Sequence, residues 1–127
     1  MTRFFIMAGA LNCFLAVGLG AIGKHGVRSN FGEQAFDIFQ TASHYQMSHG
    51  LGLILIGLCC RFFPMTPPFF RAGWVMLIGI MLFSGSLYLF ALTKLSFLAW
   101  LTPFGGLTLL FAWLLLAWAG FGTDSPS

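Results

Sequence analysis

The pattern along this chain is set by its charged residues, which are few enough to name: Arg3, Lys24, Arg28, Glu33, Asp37, Arg61, Arg71, Lys94 and Asp124. Between them, residues 4–23, 38–60, 72–93 and 95–123 carry no formal charge. A hydrocarbon core of about 30 Å takes about 20 apolar residues of helix. Each interval is long enough. Barrel strands would alternate with period two over about ten residues, and none of the intervals does. Backbone groups in hydrocarbon must be satisfied within the segment, which selects helices. The expected fold is therefore all-α: an integral membrane four-helix bundle, with helices at about 3–22, 31–62, 72–92 and 103–119. So few residues lie outside these spans that a single domain over 1–127 is expected.

The first span places Gly9, Ala16, Gly20 and Gly23 at three-, four- and seven-residue spacings. Small residues so spaced let helix backbones approach closely in lipid. Asn12 is the strongly polar side chain in its middle and should bond across the bundle. The span ends in "GAIGKHGVRSN", whose glycines are expected to break the helix. Asn30 then offers an N-cap, with Glu33 three positions on, close to a capping box. From there the pattern is amphipathic. Glu33, Asp37, Gln40 and His44 fall on one stripe, while Phe31, Ala35, Ile38 and Phe39 lie largely opposite. The reading is one long second helix whose first turns form an amphipathic extension at the membrane interface.

That extension runs into "TASHYQMSHG", the densest polar cluster of the chain, and then into "LGLILIGLCC". His44 continues the wet stripe. His49 is five residues later and points elsewhere, with Tyr45 one turn before it and Gln46 at the edge of that second face. The two histidines do not share the four-residue spacing of a zinc pair. "RFFPMTPPFFR" is a short connection whose prolines end the second helix. Trp74 and Trp100 read as interfacial anchors, and "FSGSLY" puts Ser84, Ser86 and Tyr88 in the third helix. Thr102 and Pro103 read as an N-cap and first helical residue. "GTDSPS" reads as a short polar tail.

Composition sharpens the class. The chain is 58% hydrophobic and 7% charged, against roughly 25% charged in a soluble domain. The net charge of +3 comes from residues flanking the spans, with no basic patch interleaved with aromatics, so nucleic acid is not an expected partner. Such Lys and Arg more often set topology. Arg3, Arg61 and Arg71 fall on one side; Lys24, Arg28 and Lys94 fall on the other. The short, acid-free turn between Arg61 and Arg71 favours cytoplasmic termini. The N-terminal run is read as a span rather than a signal peptide, because the rest of the chain offers it membrane helices to pack against. Cys13, Cys59 and Cys60 lie within or at the end of apolar spans with no C-x-x-C, and read as structural thiols.

Four stretches carry a resemblance: "GAIGKHGV" (20–27), "FQTASHYQMSHGLGL" (39–53), "AGWVMLIGIMLFSGSLYLFALT" (72–93) and "TPFGGLTLLFAWLLLAWA" (102–119). In this order, over nearly the whole chain, they resemble the YgdD/YwdK-like family of small bacterial inner-membrane proteins, a domain of unknown function. The resemblance implies a four-helix multi-pass protein of the bacterial inner membrane and supplies no activity. Gly23, His25 and Gly26 match the family's glycine-rich turn; Lys24 replaces the usual small residue.

Three functional readings follow. In the first, the protein is a structural or accessory component that packs with itself or a partner membrane protein. His25, Tyr45, Gln46 and His49, with Asn12, then form a polar cluster satisfying one another, since buried polar groups need partners; Tyr45→Phe and His49→Ala should both lower stability. The second is a small transporter or permeation protein, with His44 or His49 as proton carrier. The third is a lipid- or quinone-binding protein using the His25, Tyr45 and His49 region. No catalytic residue, metal site or cofactor is expected.

Overall fold

The computed structural model describes residues 2–124; the last three residues of the polar tail lie outside them. α1 spans Thr2–Ile22 and continues through a π-helical turn, Gly23–Val27, into the single turn α2, Arg28–Phe31. α3 spans Glu33–Phe62, α4 Pro67–Thr93 and α5 Ser96–Phe121, followed by a 3-10 turn at Gly122–Asp124. Among the described residues every regular element is helical. Among the described residues three helical stretches are long and apolar enough to cross a membrane: Thr2–Phe31, Pro67–Thr93 and Ser96–Phe121. α3, which carries "TASHYQMSHG", does not reach that apolarity.

Several boundaries differ from expectation. The glycine-rich turn does not break the first helix; it widens into π geometry and the helix runs on to Phe31. The break comes at Gly32, with φ +94° and ψ 173°, a region open almost exclusively to glycine. Asn30 is therefore not the N-cap of α3, and there is no capping box. Its amide donates to Gly26 O at 2.9 Å, Gly32 takes the cap position, and Glu33 accepts from Arg28 Nε at 2.6 Å. α4 starts five residues earlier than expected because Pro67 and Pro68 serve as its first helical residues, a position where a missing N–H costs nothing. α5 also starts early, at Ser96, so Pro103 lies inside the helix rather than at its start. Lys94 makes this possible. It caps α4 in the left-handed conformation, φ +58°, and donates its N–H to Phe90 O at 2.8 Å, so the chain turns within two residues.

α1 packs on α3, α3 on α4 and α4 on α5. Neighbours are antiparallel, as the close approaches require. Gly57 meets Ile6 and Thr2 at one end of α1, and Gly20 meets Ser43 near the other. Two clusters fill the interior. The larger joins Phe5, Leu53, Ile56, Ala72, Met76, Ile80, Leu109 and Ala112. The smaller joins Val27, Ala35, Phe39 and Ala91 at the opposite end. The small-residue seam of α1 does what its spacing implies. A Cβ at Gly9 would stand 2.5 Å from Gly50 O and 2.7 Å from Ile54 Cγ1, so the two backbones cross in contact. The outer faces are apolar: Met7, Leu11, Phe14 and Val17 on α1 and Phe104, Leu107, Leu110 and Leu114 on α5 are exposed.

Candidate functional site

The polar residues of "TASHYQMSHG" sort onto two sides of α3. Asn12, Ser43, Gln46 and His49 are buried, whereas His44 and Tyr45 are exposed. Gln46 stands at the centre. Its Nε2 donates to Asn12 Oδ1 on α1 at 3.0 Å, and its Oε1 accepts from the Tyr88 hydroxyl on α4 at 2.7 Å. Asn12 Nδ2 donates back to Ala8 O at 2.8 Å. One amide thus joins three helices. Two serines repeat the link a turn away: Ser43 Oγ donates to Ala16 O at 2.8 Å, and Ser84 Oγ donates to Ala42 O at 2.9 Å. On the far side of α4 the hydroxyls of Ser86 and Thr102 lie 2.6 Å apart, joining α4 to α5.

Every successive pair of long helices is therefore tied by side-chain hydrogen bonds. Among the described residues no buried side-chain nitrogen or oxygen lacks a partner. That is the condition for polar groups to persist in an apolar interior, where an unpaired donor or acceptor costs about 1–3 kcal/mol.

Of the predicted cluster, then, Asn12 and Gln46 meet, and Tyr45, His49 and His25 do not join them. His49 Nδ1 lies 2.7 Å from Tyr45 O, a contact within one turn of α3. Its ring stacks with that of Tyr45 at 5.8 Å and meets the Trp113 ring of α5 edge-on at 5.6 Å. Tyr45 is 45% exposed, and its hydroxyl makes no hydrogen bond among the described residues. His25 is exposed on the π-helical turn. Mutual satisfaction of His25, Tyr45, Gln46 and His49 is thus corrected: Tyr88 supplies the phenol, and the histidines stand apart. Tyr88 and Ser84 were legible as a pair four residues apart on one face of the third span, but nothing in the sequence said that this face meets Gln46. Thr102, read as a cap, instead donates to Leu98 O at 3.1 Å and meets Ser86.

Along the second stripe Glu33, Asp37 and His44 are exposed. Gln40 is half-buried and reaches back to Gly20 O at 3.5 Å. Phe39, on the opposite face, packs its ring on Tyr88 at 4.7 Å. Among the described residues no three His, Cys, Asp or Glu side chains gather as metal ligands would.

Residues 19–106, which include the glycine-rich turn, all of α3 and most of the polar links, match the family model described as Protein of unknown function (DUF423). The chain is 43% identical over 114 residues to a UPF0382 membrane protein of Staphylococcus epidermidis, covering 90% of this chain and 92% of the relative. This chain belongs to the DUF423/UPF0382 membrane protein family. A Staphylococcus aureus member is 39% identical over 119 residues, 94% of this chain and 96% of its own. The Bacillus subtilis member YwdK is 38% identical over 114 residues, covering 90% and 93%. No solved structure gives a significant match. The relatives are membrane proteins by name, and with three helices apolar enough to cross a bilayer this chain is a membrane protein too. The family description supplies no activity.

Proposed function

We propose that this DUF423/UPF0382 protein is a structural or accessory component of the bacterial inner membrane, a four-span packing unit that associates with a second copy or with a partner membrane protein. The observation that carries the reading is the Asn12–Gln46–Tyr88 relay. It crosses three helices and consumes its own polar groups, leaving outer faces made of apolar side chains. In this reading α3 crosses with the others. On the inward side of its polar half Ser43, Gln46 and His49 are buried, while His44 and Tyr45 stay on the exposed side. A group that is bonded inside the bundle does not meet lipid. The first turns of α3, with Glu33 and Asp37 outward and Ala35 and Phe39 inward, form the interfacial extension. Arg3, Arg61 and Arg71 lie at one end of the bundle and Lys24, Arg28 and Lys94 at the other; the termini lie in the cytoplasm with the arginine end.

The transporter reading has less support. Proton-coupled paths carry ionisable groups at bilayer depth; among the described residues the buried polar side chains are Asn12, Ser43, Gln46, His49, Ser84 and Ser86, so His49 is the one ionisable group among them and has no buried carboxylate with which to exchange a proton. The test is affinity purification of the full chain from its own membrane in mild detergent, followed by mass measurement of the complex. A second copy or one partner at fixed stoichiometry is the expected result. A monomer without a stoichiometric companion, together with a pH-dependent flux in proteoliposomes that disappears in His49→Ala, would overturn the accessory reading.

A further inference from the structure

The side of α3 turned away from the relay faces a groove of about 710 Å³. Its walls include Tyr45, His49, Phe83, Gly106 and Trp113. Pro103 and Leu110 extend the lining along α5. Four of these residues carry aromatic rings close enough to interact: Tyr45 lies 4.6 Å from Phe83 and stacks on His49, which meets Trp113. Tyr45, His49 and Trp113 are the wall residues with polar side-chain atoms, and of these His49 is the buried one. It is 7% exposed, and its Nδ1 faces Tyr45 O, which can only accept. Nδ1 therefore carries the proton. The neutral ring leaves Nε2 as a lone-pair acceptor. That nitrogen has no partner among the described residues. It is also not one of the fully enclosed atoms, all of which are satisfied. It opens to the groove.

We propose that this groove binds an amphiphile whose polar end is a flat, hydroxylated ring of the hydroquinone type, with a ring hydroxyl donating to His49 Nε2 and an apolar tail lying along α5. Each part of the site selects a part of that ligand. An acceptor at bilayer depth wants a donor, because water is scarce there and an unpaired site is costly. Aromatic walls on three helices, Tyr45 on α3, Phe83 on α4 and Trp113 on α5, favour a planar head. The apolar lining continuing over Leu107 and Leu110 suits a prenyl or alkyl chain. Pockets of this kind, mostly apolar with a few orienting polar groups, are the usual form of small-ligand sites. His25, which the sequence grouped with Tyr45 and His49, plays no part in the groove.

The test uses the full chain in nanodiscs of a zwitterionic lipid, titrated under reducing conditions with decyl-hydroquinone and, separately, with its dimethyl ether. The ether keeps the ring and tail and replaces both donor hydrogens with methyl groups. Binding is followed by NMR of the imidazole nitrogens, with His49 assigned from a His49→Asn variant. The expected result is a saturable shift of His49 Nε2 with the hydroquinone and binding about tenfold weaker for the ether, the loss that one hydrogen bond to an otherwise unpaired buried group brings. Gly106→Leu supplies a second arm that leaves His49 in place. A Cβ there meets the Phe83 ring at an ordinary 3.7 Å, so the backbone tolerates it while the longer side chain fills the groove, and saturation should vanish. Equal response to both probes, a response that never saturates, or one unaffected by Gly106→Leu overturns the proposal. A saturable shift produced by phosphatidylglycerol alone overturns the ring in favour of a lipid hydroxyl.

Discussion

Gln46 is the residue on which the interior depends, because among the described residues its amide is the one side-chain group bonded to two other helices at once. Tyr88→Phe removes a donor and leaves Gln46 Oε1 unpaired. The expected cost is about 1 kcal/mol, within the range of interhelical hydrogen bonds in membranes. Gln46→Leu orphans both Asn12 Oδ1 and the Tyr88 hydroxyl and should cost about 2 kcal/mol. Tyr45→Phe removes a hydroxyl that bonds nothing and should change stability by less than about 0.5 kcal/mol. Thermal unfolding in bicelles ranks the three. A Tyr45→Phe protein as damaged as Tyr88→Phe would place the clasp on the wrong tyrosine.

Two glycines set the paths of the helices, for opposite reasons. At Gly9 the obstacle is space: Gly9→Ala forces a methyl against Gly50 O and Ile54, and parting the helices should cost about 1–3 kcal/mol. At Gly32 there is open space around a would-be Cβ, yet the backbone sits where other residues are strained by about 1–3 kcal/mol. Gly32→Ala should therefore destabilise the α2–α3 corner while leaving the Gly9 crossing intact, and amide exchange localised to residues 28–36 would report it. Exchange unchanged there would mean that the corner relaxes freely.

Both features show what the chain made legible. Charge-free intervals located the long helices, and the spacing of Gly9, Ala16 and Gly20 located the face of α1 that meets α3. The corner was misplaced because glycines in "GAIGKHG" look like a break, whereas a π turn absorbs them and a single positive φ at Gly32 makes the bend. Pro103 misled in the same way: a proline early in an apolar run reads as a start, and only the short turn at Lys94 pushes the true start back to Ser96. For the polar cluster, sequence located Asn12 and Gln46 on their helices but could not tell which faces of α3 and α4 meet. That choice brought in Tyr88 and sent His49 to the groove.

Taken as a whole, the protein is a chain of helices packed in sequence order and stitched at every junction, apolar outside and bonded inside. The proposed four-span arrangement makes a prediction about sidedness. In a background without native cysteines, Lys94→Cys should react with an impermeant maleimide in intact cells, and Met65→Cys, in the exposed turn after α3, should react only after the membrane is opened. Labelling of both in intact cells would contradict a fixed orientation with cytoplasmic termini.

The most direct test of the stitched interior is a double-mutant cycle on Gln46→Leu and Tyr88→Phe, read from unfolding free energies in bicelles. If the relay ties α3 to α4, the two losses fail to add by about 0.6–1.7 kcal/mol. If they add to within about 0.3 kcal/mol, the two side chains are not coupled, and the polar cluster of α3 has some task other than holding the helices together.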